Sequence, residues 1–231
     1  MIIDKRCLSI RAKKLDDVVQ ICEEKEDLRH GLHSSTIWQM IAALDVTYTM
    51  GESREEVVWR SLITNRGNVS PPESAQYPAC SDLLKPSFHA WILWRYAVAF
   101  NEPTTFPISS SANDILPSQA EIDKGRNRSK VDPVYLAFLA HQASLFNLSY
   151  SHAMRQRPFR TRQGYFGIGS KCLDVGDSVW IVPGCRVPII LRPIKGSGRY
   201  CLVGGTYVHG VMNGEALLSC TDLDFEMVGL E

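Results

Sequence analysis

From Gly164 to Leu230 the chain runs as short β-prone stretches cut by glycine: GYFGIGS, GDSVWIVPG, RVPIILRPI, RYCLVGG, TYVHGVM and FEMVGL. Each is too short for an ordinary helix, and each is rich in β-branched and aromatic residues. Pro183-Gly184 and the KGSG of 195–198 supply turns between neighbouring stretches, as a meander of antiparallel strands requires. So many short strands in so little chain predict a small, strongly bent sheet or barrel.

The preceding sequence has another character. LDDVVQICEEK, 15–25, carries Leu15, Val18, Val19 and Cys22 at helical spacing. TIWQMIAALDVTYTM and REEVVWRSLI continue in that style, with Ser53 a cap for the second and Glu56 three residues on. FHAWILWRYAVAF, 88–100, is apolar on nearly every side and reads as a buried helix whose aromatics fill a core. From Asn101 the composition turns to Pro, Ser, Asn and charge, which predicts a long surface loop over 101–131 that could fold over a ligand as a lid. Asp132-Pro133 then starts the next helix, a cap followed by a first-turn proline. The expected fold is α+β: a helical region over 1–156 packed on a small antiparallel β-barrel region over 157–231, the two forming one integrated unit.

Composition narrows the function. Lys+Arg and Asp+Glu are both 25, so no net field draws in a polyanion, and nucleic acid is not expected as a partner. No apolar run approaches the roughly 20 residues of a membrane span. MIIDKRCLSIRAKK carries charges where a signal peptide is apolar, so a cytoplasmic protein is expected. The seven cysteines never form a C-x-x-C pair, which predicts reduced, mostly buried thiols instead of a disulfide framework or zinc site.

Three segments in order carry a family resemblance. FRTRQGYFGIGS, GDSVWIVPGCRVPIILRPI and RYCLVGGTYVHGVMNGEAL resemble the C-terminal region of fungal heterokaryon-incompatibility (HET) proteins. There an R-x-F-x-T-x-x-G-x-x-G-x-G stretch, a G-D-x-V strand, a P-x-x-L-R strand and a Y-V-H-G-x-M-x-G-E-A segment follow one another. VVWRSLITNRGN and the D-P-x-Y helix start are similar to the helical region that precedes those strands. The resemblance does not include the family's N-terminal signalling domain, which this chain is expected to lack. It therefore implies fold more than activity.

The chemistry-bearing candidates lie in the same segments. Tyr207, His209 and Val211 share one face of an extended chain, so an imidazole and a phenol sit on a mostly apolar side with Glu215 close behind. If they converge on a cavity they can donate, accept and relay protons. The alternative is structural: His209 bonded to a backbone carbonyl, and Glu215 capping the turn after Asn213-Gly214. Arg192 completes the catalytic set as a donor, though it also fits a pairing with a carboxylate such as Asp177. Trp180, Tyr165, Phe166 and Tyr200 would wall a substrate or fill a core. GYFGIGSK only approaches a phosphate loop, because its lysine follows serine and no helix comes next. Neither a cofactor nor a metal is expected.

Two functions fit. One is a stand-alone module repurposed as a cofactor-independent small-molecule enzyme of fungal secondary metabolism, a cyclase, isomerase or cycloaddition catalyst acting on a small apolar substrate. The other is a non-catalytic interaction or regulatory module, related to nonself recognition, that binds a protein. A mostly apolar enclosed chamber of roughly 300 Å³ or more would favour the enzyme.

Overall fold

A computed structural model describes residues 8–31, 36–48, 51–67, 77–98, 115, 117–152, 154–218 and 220–231. The chain divides into two compact units: one takes the chain up to Ile21 together with Gln156–Glu231, the other Cys22–Arg155.

The β unit is organised around β1, Leu8–Ile21, which is 14 residues long. The helix expected at 15–25 is therefore a strand over most of its length. Val18 and Cys22 fit a helical spacing, but Ala12, Asp16 and Val18 are the buried positions, an alternation of period two. Backbone pairing on the sheet decides between the two. Met227 to Leu230 of β8, Glu226–Leu230, face Arg11 to Leu8; β4, Ser178–Ile181, takes Lys13 to Asp17; β2, Gln156–Thr161, takes Val18 to Ile21. Register shifts between Lys14 and Asp16, within the β4 pairing, and between Val18 and Gln20, within the β2 pairing, bend the strand.

The remaining strands are β3, Phe166–Ser170, β5, Ile189–Ile194, β6, Arg199–Gly205, and β7, Tyr207–Val208. The eight-stranded order is β4-β5-β6-β8-β1-β2-β3-β7, and the additional β4–β1 pairing makes a circuit of five strands. The seam of that circuit is one parallel bridge between Tyr200 and Leu230, the exception in a sheet otherwise antiparallel. The sheet thus draws a strand from the N-terminal part of the chain, and the expected boundary at 156/157 is corrected accordingly.

Two apolar clusters fill this unit. Val18, Phe159, Leu173, Val179, Ile190, Val208 and Val211 form one; Ala12, Trp180, Leu191 and Val228 form the other. Each large apolar side chain fully buried contributes about 1.5–3 kcal/mol. Gly167 explains part of the glycine pattern. A Cβ there would collide with the Phe159 ring and come within 2.6 Å of the Tyr207 carbonyl oxygen.

The helical unit holds α1, Lys25–Gly31, α2, Ile37–Ala42, α3, Arg54–Leu62, α4, Ser81–Val98, α5, Gln119–Val131, and α6, Pro133–Tyr150. Two expected caps are present: Ser53 Oγ accepts from Glu56 N at 3.2 Å, and Asp132 accepts from Val134 N and Tyr135 N at 3.1 and 3.0 Å. α4 begins seven residues before the expected Phe88. It buries Phe88, Trp91 and Tyr96, and the first two meet Phe146 and Tyr150 of α6 at ring separations of 4.9–5.4 Å.

The long loop over 101–131 is corrected at its C-terminal end by α5. Ser118 and Glu121 form a reciprocal capping box, and Ile122 is buried, so a mostly polar sequence is helical through its cap and one apolar anchor. Residues 101–114 and 116 of the expected lid lie outside the described residues. The thiols are also less buried than expected: Cys22 is buried, while Cys172, Cys185 and Cys201 are exposed.

Candidate functional site

The turn out of β7 builds the centre of the candidate site. His209 N donates to the Phe166 carbonyl at 3.0 Å, which continues the β3–β7 pairing past Val208. Thr206 Oγ1 donates to the Ile168 carbonyl at 2.9 Å on the other side of the two-residue strand. Held this way, the Tyr207 hydroxyl and His209 Nδ1 share a hydrogen bond of 2.8 Å. Both side chains are buried, at 7% and 3% exposure. The shared face read from the sequence is thus real, and the two polar groups on it satisfy each other.

Glu215 turns toward its own loop. Its carboxylate accepts from Asn213 N at 2.8 Å and Asn213 Nδ2 at 2.9 Å, fixing the Asn213-Gly214 turn. Burial pushes this carboxyl up, but hydrogen bonds from the Glu215 and Asn213 backbones and the Asn213 amide, with the nearby His209, hold it below the usual range.

Arg192 is committed elsewhere. Its Nε donates to Asp177 Oδ1 at 2.7 Å and its Nη2 to Asp177 Oδ2 at 2.9 Å, a bidentate pair. The same Nη2 reaches the Cys172 carbonyl at 2.6 Å and Asp174 at 2.9 Å. The Asp177 hydrogen bond, against a smaller desolvation effect, raises the guanidinium above its ordinary value. Asp177 is 1% exposed and also accepts from Asp174 N at 2.8 Å, so the pair locks the turn before β4.

Of the four aromatics expected to wall a substrate, Trp180 and Phe166 are core residues, while Tyr165 and Tyr200 are half-buried. Trp180 is fully buried, donates to Ser178 Oγ at 2.7 Å and meets Tyr200 edge-on at 5.4 Å. Tyr200 packs on the cluster around Trp180, Tyr165 packs on the cluster around Phe159, and Phe166 is fully buried. The structure therefore brings Tyr207 and His209 together, while Arg192 pairs with Asp177, Glu215 with its own turn, and the aromatics pack on the two apolar clusters.

Sequence reasoning missed a solvent-open cleft of about 90 Å³ formed by the 181–188 loop and the 211–217 turn. Val182, Pro183, Val187, Val211, Met212 and Leu217 line it, and Arg186 stands at its rim. Val187 and Leu217 are 39% and 36% exposed. The available signal was apolar residues placed in turns, VPGCRVP and ALL, where solvent normally selects polar ones. Among the described residues no group of three His, Cys, Asp or Glu could hold a metal ion, and no helix is long and apolar enough to cross a membrane.

Comparisons with known proteins follow the same lines. The chain is 34% identical over 94 residues to heterokaryon incompatibility protein 6, OR allele, of Neurospora crassa. That alignment covers 38% of this chain and 14% of the Neurospora protein. No solved structure matches. The family model described as the Het-6 beta-barrel domain matches residues 37–228, and the chain belongs to that family.

Proposed function

We propose that this chain works by binding, as a non-catalytic interaction module of fungal nonself recognition. Its apolar cleft would receive an apolar side chain of a protein partner, and Arg186 would meet a neighbouring carboxylate. One observation carries the reading: the open concavity is small and apolar, while the polar groups nominated for catalysis are hydrogen bonded within the fold. A cleft of about 90 Å³ fits one side chain. Pockets that take drug-sized ligands measure roughly 300 Å³ or more. Arg186 pairs with no carboxylate among the described residues, which leaves its charge available at the rim. The link to nonself recognition rests on the family and on the printed name of the Neurospora relative.

The cofactor-free cyclase or isomerase reading asks Tyr207 and His209 to face a substrate. Their mutual hydrogen bond and burial favour a structural role instead. Forced heterokaryons between strains with and without the chain test the choice. Slow growth or cell death is expected with the wild-type chain and is lost in Leu217→Asp and Val187→Glu, with the melting temperature unchanged. Normal growth throughout, together with turnover by the purified protein of a metabolite that accumulates in the deletion strain, would establish the enzyme instead.

A further inference from the structure

Within the helical unit, α1 and α4 bring positive charge together without a countercharge. Arg95, in the last turn of α4, lies with its guanidinium carbon 4.3 Å from the centre of the Trp94 ring and 5.6 Å from that of Trp91. Its Nη2 donates at 3.1 Å to Asn147 Oδ1, an oxygen of α6 that also accepts from Trp91 Nε1 at 3.2 Å. Arg95 Nε is sealed from water, and neither it nor Nη1 has a hydrogen-bond partner among the described residues. The neighbouring charge is Arg29, in the last turn of α1. Desolvation first, and then Arg29, lower the Arg95 guanidinium to about 10, while Tyr150 acts in the other direction.

The Arg29 side chain is half-buried and forms neither a hydrogen bond nor an ion pair among the described residues. Glu26 and Asp27 are exposed on the same helix and pair with neither arginine. Lys25 adds a third cation to α1, with the His152 carbonyl as its acceptor. A fold ordinarily answers a partly buried charge with an opposite one. The last turn of a helix offers an arginine some relief, but the partial charge there is only about half a unit. Two full charges set side by side are left in excess.

We propose that Arg29 and Arg95 form an anion-binding site that takes a phosphate group from outside the chain. The charges choose the ligand. A carboxylate would cancel one of the two guanidinium charges, whereas a phosphate carries about −1.5 to −2 at pH 7 and three acceptor oxygens, enough for both. A guanidinium edge matches phosphate geometry through paired N–H donors, and Nη1 of Arg95 is the donor left open for it. With Oδ1 already accepting twice, Asn147 keeps its amide NH2 as a neutral donor without a partner among the described residues. Trp94 and Asn147 hold the Arg95 guanidinium in place, so little freedom is lost when the anion arrives.

Thermal unfolding of the full chain in inorganic phosphate, with ionic strength held constant by sodium chloride, tests this. The melting temperature should rise by several degrees and saturate at millimolar phosphate, as a ligand of the folded state requires. Tryptophan emission should shift over the same range, because Trp91 and Trp94 flank Arg95. Arg29→Gln removes repulsion and no hydrogen bond, so its phosphate-free melting temperature should equal or exceed the wild type's, while phosphate binding weakens about tenfold or more. The general salting effect of phosphate acts on both proteins and does not saturate, so the difference between them isolates the site. Phenyl phosphate in the same assay separates the sources: saturation at lower concentration than inorganic phosphate places the group on a larger ligand, and no gain from the ester assigns the free anion. Three results would overturn the proposal: no saturating shift in the wild type, an equal response in Arg29→Gln, or an Arg29→Gln that melts well below the wild type without phosphate. The last would make Arg29 a support of the fold.

Discussion

Lys25 Nζ sits 4.6 Å from the centre of the Tyr150 ring, and the Tyr150 hydroxyl donates to the Lys25 carbonyl at 2.7 Å. The ammonium also donates to the His152 carbonyl at 2.7 Å, and the side chain is 1% exposed. Desolvation lowers its pKa to about 7. An unfolded lysine titrates near about 10.4, so between the two values the unfolded chain binds more protons than the folded one.

Stability of the wild type should therefore rise with pH from about 7 toward about 10, by at most about 1.4 kcal/mol per pH unit from this group. Below about pH 7 the full cost of burying the charge is present. Lys25→Met removes the titration while keeping the apolar stem. Denaturant unfolding of both proteins from about pH 6.5 to about pH 9 should show the difference moving in favour of the wild type as pH rises. A difference that stays flat would show that Lys25 does not titrate in this range.

A second prediction concerns Tyr207 and His209. In Tyr207→Phe, His209 Nδ1 loses its 2.8 Å partner inside the β unit. Leaving a buried polar atom unsatisfied costs about 1–3 kcal/mol. The expected outcome is a lower denaturation midpoint with no change in partner binding by protein that remains folded. Unchanged stability with lost biological activity would return this pair to the status of a functional site.

The sequence made the β-prone runs, the caps at Ser53 and Asp132 and the shared face of Tyr207 and His209 legible, because each follows from local chemistry. Strand β1 was not legible: Leu15, Val18 and Cys22 satisfy a helical period, and the decision lies with partners some 140 to 220 positions away. α5 was hidden for the opposite reason, since its single buried apolar anchor, Ile122, leaves no periodic pattern to read. At the site, residue type alone could not separate a catalytic Arg192 from one clamped by Asp177. That distinction is a matter of two distances.

Gly167→Ala and Gly169→Ala offer a matched pair on β3. At Gly167 the added methyl meets the buried Phe159 ring and the Tyr207 carbonyl oxygen of β7, and the backbone oxygen cannot yield without disturbing the β3–β7 pairing. At Gly169 its nearest neighbours are the edge of the same ring and Thr206 Oγ1, both at 3.4 Å. Overpacking of this kind costs about 1–3 kcal/mol, and Gly167→Ala should reach or exceed the top of that range. Gly169→Ala should cost well under half as much. Equal denaturation midpoints for the two variants would contradict the close β3–β7 approach.

Arg192→Lys should behave as a disruptive change despite the retained charge. A single ammonium cannot reproduce the two parallel hydrogen bonds to Asp177, nor hold Asp174 and the Cys172 carbonyl at once. Asp177 is buried while the Arg192 side chain is 39% exposed, so solvent screens part of the loss. The expected destabilisation is about 1–2 kcal/mol, read from chemical denaturation. Because the pair closes the turn that leads into β4, amide exchange at Asp174–Ser178 should accelerate in the variant while exchange in β3 does not. Acceleration spread evenly over both strands would mean that Arg192 supports the sheet as a whole and not this turn.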